Sequence, residues 1–124
     1  MGLQDVKTAL FLRNIWYFAL HSRALKSGRL LHKTLLGEPI VFGRTESGEA
    51  FALRDLCPHR GVPLSKGQIL EGTVECPYHG WRFKPSGQCT HIPSLVGEEG
   101  VEPSKISVRK YPLVERNGLI WIYM

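Results

Sequence analysis

At 124 residues with 43% hydrophobic side chains, the chain is one domain with enough apolar content for its own core. Its 13 glycines and 8 prolines mean many turns, which favours an all-β over a helical architecture. The formal charge of +5 is spread along the chain rather than gathered into an aromatic-studded stripe, and no apolar run approaches the ~20 residues of a membrane span. Nucleic-acid and membrane roles are therefore not expected.

Residues 1–12 place Leu3, Val6 and Leu10 at helical spacing, a short amphipathic lead without a signal-peptide pattern. Residues 13–19 begin the fold, with Trp16 and Phe18 expected in the core. Residues 22–27 suit one loose helical turn closed by Gly28. Residues 30–36 and 39–44 read as strands about a Gly37-Glu38 turn, and Ser47-Gly48 marks the next reversal. Residues 50–55 alternate Phe51 and Leu53 with Ala52 and Arg54, the period-two pattern of a half-buried strand. The three strands form a meander.

Two short loops follow. Residues 57–61 read Cys-Pro-His-Arg-Gly, residues 76–81 read Cys-Pro-Tyr-His-Gly-Trp, and the sixteen residues 60–75 separate His59 from Cys76. Zinc sites more often pair like ligands, C-x2-C with H-x3-5-H. Here each loop offers one thiolate and one imidazole, which suits a dinuclear centre with Cys57 and Cys76 on one iron and His59 and His79 on the other. A structural zinc site is the alternative for the same four residues. Pro58 and Pro77 each follow a cysteine, fixing φ and removing an N–H. Gly61 and Gly80 permit either close approach of the backbone or positive φ. A short strand at 73–75 and a hairpin joining 81–83 to 88–90 across Lys84-Pro85-Ser86-Gly87 complete a small subdomain placed on a larger barrel.

His21, His32 and His91 stand alone and are expected to be packed or solvated rather than ligands. Cys89 has no partner in the chain, which makes it a small buried hydrophobe and argues for a reducing, cytoplasmic location. Residues 96–105 are polar and glycine-rich, the best place for a mobile loop. Residues 106–114 return to a strand that Pro112 makes an edge or a bulge. Arg116-Asn117-Gly118 is a strong hairpin turn before the apolar strand 119–124.

The pattern C-x-H, sixteen residues, C-x2-H, with Pro and Gly around it, resembles the Rieske [2Fe–2S] motif, and the resemblance covers residues 13–124. It implies an all-β Rieske fold, an antiparallel barrel or sandwich with a cluster-binding subdomain at about residues 56–92. It implies a Rieske-type cluster on Cys57, His59, Cys76 and His79. Two thiolates and two neutral imidazoles leave an oxidised cluster near neutral, so reduction costs less than with four thiolates; such centres span roughly −150 to +300 mV. Respiratory members carry a disulfide between the loops and a serine bonded to a sulfide. Here those places hold Val62, Tyr78 and Trp81, so the low end of the range is expected.

Arg13-Asn14-Ile15-Trp16-Tyr17 resembles the opening of oxygenase α subunits of the phthalate dioxygenase and vanillate demethylase group, and Trp121-Ile122-Tyr123 their last Rieske strand. That likeness implies an N-terminal electron-transfer domain of a ring-hydroxylating or demethylating oxygenase. A reductase or ferredoxin would supply electrons, and a mononuclear iron in the catalytic domain of a neighbouring subunit of a homotrimer would receive them. No D/E/N-x2-H-x3-4-H pattern is present, so this chain lacks the oxygen-activating site. A free-standing Rieske ferredoxin is the alternative, and a zinc-stabilised binding module a more distant one. Arg60, Lys66, Arg82 and Lys84 flank the loops as a basic collar suited to an acidic redox partner.

Overall fold

The computed structural model describes residues 11–58, 61–78, 80–93 and 102–124. The strands are β1 (Trp16–His21), β2 (Leu30–Leu35), β3 (Glu38–Arg44), β4 (Ala50–Arg54), β5 (Gln68–Leu70), β6 (Thr73–Glu75), β7 (Arg82–Phe83), β8 (Cys89–His91), β9 (Lys110–Tyr111), β10 (Leu113–Arg116) and β11 (Leu119–Tyr123). They form three antiparallel sheets, ordered β1-β11-β10, β2-β3-β4-β9 and β5-β6-β7-β8. The amphipathic lead at 1–10 and the polar loop at 96–101 lie outside the described residues, and the end of that loop, Pro103–Lys105, is a single 3-10 turn.

Three hairpins turn on residue pairs that both have positive φ, as type I′ turns require. They are Leu36-Gly37 (φ 50 and 77), Glu71-Gly72 (51 and 76) and Asn117-Gly118 (54 and 76). The Asn-Gly turn falls where the sequence places it. The first turn sits one residue earlier than expected, so Glu38 belongs to β3. The middle one creates β5, a strand the sequence reading lacks, which pairs Gln68 with Glu75 and Leu70 with Thr73.

Strand β4 is not half-buried. Phe51, Ala52 and Leu53 are all buried, as are Ile40, Val41 and Phe42 of β3 beside it. Val41, Phe51 and Leu53 face one apolar cluster that contains Leu64, Val74, Trp81, Phe83 and all three cysteines. Ile40, Phe42 and Ala52 face another, built with Leu20, Tyr111, Ile120 and Ile122. The pair β3–β4 is thus a wall with a core on each side.

Trp16 and Phe18 are likewise not core residues. They remain 44% and 43% exposed. The register pairs Trp16 with Tyr123 and Phe18 with Trp121, and a bulge falls between Phe18 and Leu20. Edge-to-face contacts at 5.3 Å and 5.9 Å join the two aromatic pairs on the outer face of the sheet. The inner face is filled by smaller aliphatic side chains, and the bulge brings both Ala19 and Leu20 inward.

Pro112 divides the expected strand 106–114 in two. Before it β9 pairs with β4, and after it β10 pairs with β11. A proline cannot donate to a ladder, so the chain changes sheets there. Arg44 clamps the two sheets together, with Nη1 and Nη2 donating to the Glu115 carboxylate at 3.0 and 2.7 Å.

Candidate metal centre

Each cysteine stands at the start of a loop closed in the same way. The Cys57 N–H donates to the carbonyl of Val62 at 2.8 Å, and the Cys76 N–H to that of Trp81 at 2.7 Å, both five residues on. In each loop the glycine four residues after the cysteine is left-handed, with φ 69 at Gly61 and φ 70 at Gly80. A Cβ on Gly61 would meet nothing within 4 Å. The turn, and not crowding, is what demands glycine there.

The two loops bring the cysteines together inside the first apolar cluster, 1% and 2% exposed. Burial, with the Cys57 thiol alongside, pushes the Cys76 thiol up to about 12 despite the Tyr78 N–H that lies 3.4 Å from its sulfur. On its own the Cys76 thiol is a poor acid. A thiophilic cation that takes both cysteines as thiolates removes the cost of charging them, so the donor chemistry fits an iron centre. His59 and His79 lie outside the described residues.

Around the loops, Val62 packs half-buried on the apolar cluster, Trp81 is buried in it, and Tyr78 is exposed. The expected basic collar is thinner than its sequence suggests. Arg82 is held by Glu75 at 3.3 Å and reaches Glu71 at 3.7 Å, while Arg60 lies outside the described residues. Cys89 is buried, as anticipated for a small hydrophobe.

A buried carboxylate beneath the first loop was not anticipated. Asp55 is 1% exposed. It accepts the Ser65 N–H at 2.7 Å, the Ser65 hydroxyl at 2.7 Å and the Nδ1 side of His32 at 2.5 Å. His32 is therefore neither simply packed nor simply solvated. The one available signal is a carboxylate set two places before Cys57, at the end of a mostly apolar strand.

The sequence model of the Rieske [2Fe–2S] domain matches residues 15–112. The chain belongs to the Rieske [2Fe–2S] domain family. Its cofactor is accordingly a Rieske-type [2Fe–2S] cluster. The Rieske domain is 43% identical over 115 residues to the iron-sulfur subunit of a toluene-4-sulfonate monooxygenase system from Comamonas testosteroni, covering 93% of this chain and 32% of that one. It is also 43% identical over 113 residues to the oxygenase component of dicamba O-demethylase from Stenotrophomonas maltophilia, covering 91% and 32%. The crystal structure of dicamba monooxygenase superposes with a TM-score of 0.83 over 91% of this chain and 35% of that one, at 43% identity. The reduced oxygenase–ferredoxin complex of carbazole 1,9a-dioxygenase gives a TM-score of 0.81 at 30% identity, covering 96% and 30%. The Rieske domain thus spans about a third of the length of these relatives. Among the described residues no helix is long and apolar enough to cross a membrane.

Proposed function

We propose that this Rieske domain delivers electrons within a ring-hydroxylating or demethylating oxygenase, with Cys57 and Cys76 on one iron of its cluster and His59 and His79 on the other. The observation that carries this reading is the pair of matched loops that brings two buried thiols together, in a chain whose relatives are oxygenase components. When bound, the cluster supplies one-electron transfer. The protein's own work is to hold the cysteine pair in a dry apolar setting, with Leu64 and Trp81 packed around it, while exposed Tyr78 marks the loop edge that meets solvent.

A reductase or ferredoxin is the donor in this reading, supported by the solved complex of the carbazole oxygenase with its ferredoxin. The acceptor is a mononuclear iron in a catalytic domain, in a neighbouring subunit of a homotrimer. A cytoplasmic setting accords with the buried free thiol of Cys89.

Metal analysis together with electron paramagnetic resonance tests the cluster. Two irons and two labile sulfides per chain, with the low average g-value of a histidine-ligated cluster after reduction, are expected. Stoichiometric zinc in a colourless protein would overturn the reading. Reduction by NADH through an oxygenase reductase and ferredoxin tests the partner assignment. A loaded protein that such donors leave oxidised would keep the cluster and lose the oxygenase role.

A further inference from the structure

We propose that the buried Asp55 carboxylate, held by His32 and Ser65, sets the reduction potential of the cluster that the adjacent loop binds. The proposal rests on the cluster assignment and not on the identity of the electron's donor or acceptor.

Asp55 precedes Cys57 by two residues, which keeps their Cα atoms within about 7 Å. Its side chain has no exposure to solvent. Among the described residues, no lysine or arginine pairs with it; its partners are the Ser65 N–H, the Ser65 hydroxyl and the His32 ring. His32 itself is 48% exposed at its side chain. It borders an open hollow of about 340 Å³ shared with Pro63, Ser65 and Lys66.

These contacts tie the end of β4 to Ser65 of the 3-10 turn Leu64–Lys66 that follows the first loop, and also to β2, so Asp55 has a structural task. A neutral asparagine has the shape for most of it. What the carboxylate adds is a negative charge in a poorly screened place beside a centre that gains an electron. Such a charge raises the energy of the reduced state, and each donor that bonds the carboxylate weakens its field. Asp55 is thus a positioning residue with an electrostatic output, and His32 and Ser65 moderate that output.

The test is voltammetry of the loaded protein, with the paramagnetic resonance signal of the reduced state as a check on cluster integrity. Asp55→Asn raises the midpoint. His32→Ala and Ser65→Ala lower it, because they leave the charge less compensated. In the Asp55→Asn background His32→Ala changes nothing further. Midpoints that stay at the wild-type value in variants with an intact signal, or that move in the same direction for Asp55→Asn and His32→Ala, overturn the proposal. Should Asp55→Asn fail to load, His32→Ala and Ser65→Ala decide the matter alone: a lowered midpoint supports the proposal and an unchanged one ends it. The wild-type signal reports separately on whether a Rieske cluster is present at all.

Discussion

The backbone N–H of Cys76 donates to the carbonyl of Trp81 at 2.7 Å, and the Trp81 side chain lies 4% exposed in the apolar cluster that holds the cysteines. One residue therefore closes the second loop with its backbone and seats it with its ring. Trp81→Ser empties that seat, and loss of a buried aromatic side chain costs about 3–5 kcal/mol. The expected outcome is a large fall in the denaturation midpoint with loss of visible absorbance. Trp81→Phe retains most of the packing and should keep its colour. Equal stability of the two variants in urea would show that the ring does not seat the loop.

Cys57→Ser or Cys76→Ser should prevent assembly of the cluster, because a buried hydroxyl is a poor substitute for a thiolate on iron. Cys89→Ser should leave the visible spectrum intact, since Cys89 is a buried side chain with its sulfur 3.8 Å from the His91 carbonyl. Iron content and absorbance of the three variants check both halves. A bleached Cys89→Ser variant would reassign the ligands.

The midpoint potential should lie in the lower half of the roughly −150 to +300 mV Rieske range. Val62 is packed on the core, Tyr78 is partly exposed and Trp81 is buried, so these three positions supply neither a disulfide between the loops nor a serine. Voltammetry at neutral pH decides, and a value well above zero would contradict the argument.

Glu38 gathers Arg13, Arg54, Arg109 and the Tyr111 hydroxyl on one carboxylate. Burial works against its ionisation, but the hydrogen bonds of Tyr111 and Arg13 and the charges of Arg109 and Arg13 prevail, holding it below its ordinary 4.5. Its contribution is complete above pH 4.5 and fades as the pH falls through the lower folded value. Glu38→Gln should cost about 1–3 kcal/mol at neutral pH and lose less stability than the wild type on acidification. Urea denaturation at a series of pH values measures the difference. Parallel pH curves would remove Glu38 from the account.

Two glycines should resist substitution far more than a third. A Cβ on Gly67 would lie 1.9 Å from the Glu75 carbonyl oxygen, and one on Gly87 would lie 2.1 Å from that of Val108. Backbone must move in both cases, so Gly67→Ala and Gly87→Ala should each cost several kcal/mol, on the order of the larger core lesions. Gly72→Ala meets open space and bears only its left-handed φ of 76, about 1–2 kcal/mol. Thermal unfolding should rank the three accordingly.

The cysteine loops were legible because their information is local: a proline after each cysteine and a glycine four residues on. Asn117-Gly118 was legible for the same reason, since both residues tolerate positive φ. Leu36 and Glu71 carry no such signal; strand pairing on either side forces them into that conformation. Double burial of β4 was hidden because alternating Phe and Ala looks the same whether one face is covered or two. Trp16 and Phe18 look like core residues by composition, and only the register with Tyr123 and Trp121 turns them outward. Arg82 reads as part of a basic collar and Asp55 as having no role, because their partners lie elsewhere in the chain: Glu75 on β6 for the first, His32 on β2 and Ser65 in the 3-10 turn for the second.

The shared wall of β3 and β4 divides the labour of folding. The apolar cluster on one side holds every cysteine of the chain, and the cluster on the other side holds none. Loss of the metal would therefore bear first on the cysteine side, since metal binding adds to stability where its ligands lie. Val41, Phe51 and Leu53 are the residues of the wall that face that side. In an apo chain, a breach on that side would uncover a sheet face rather than a random coil, with Ile40, Phe42 and Ala52 still covered behind it.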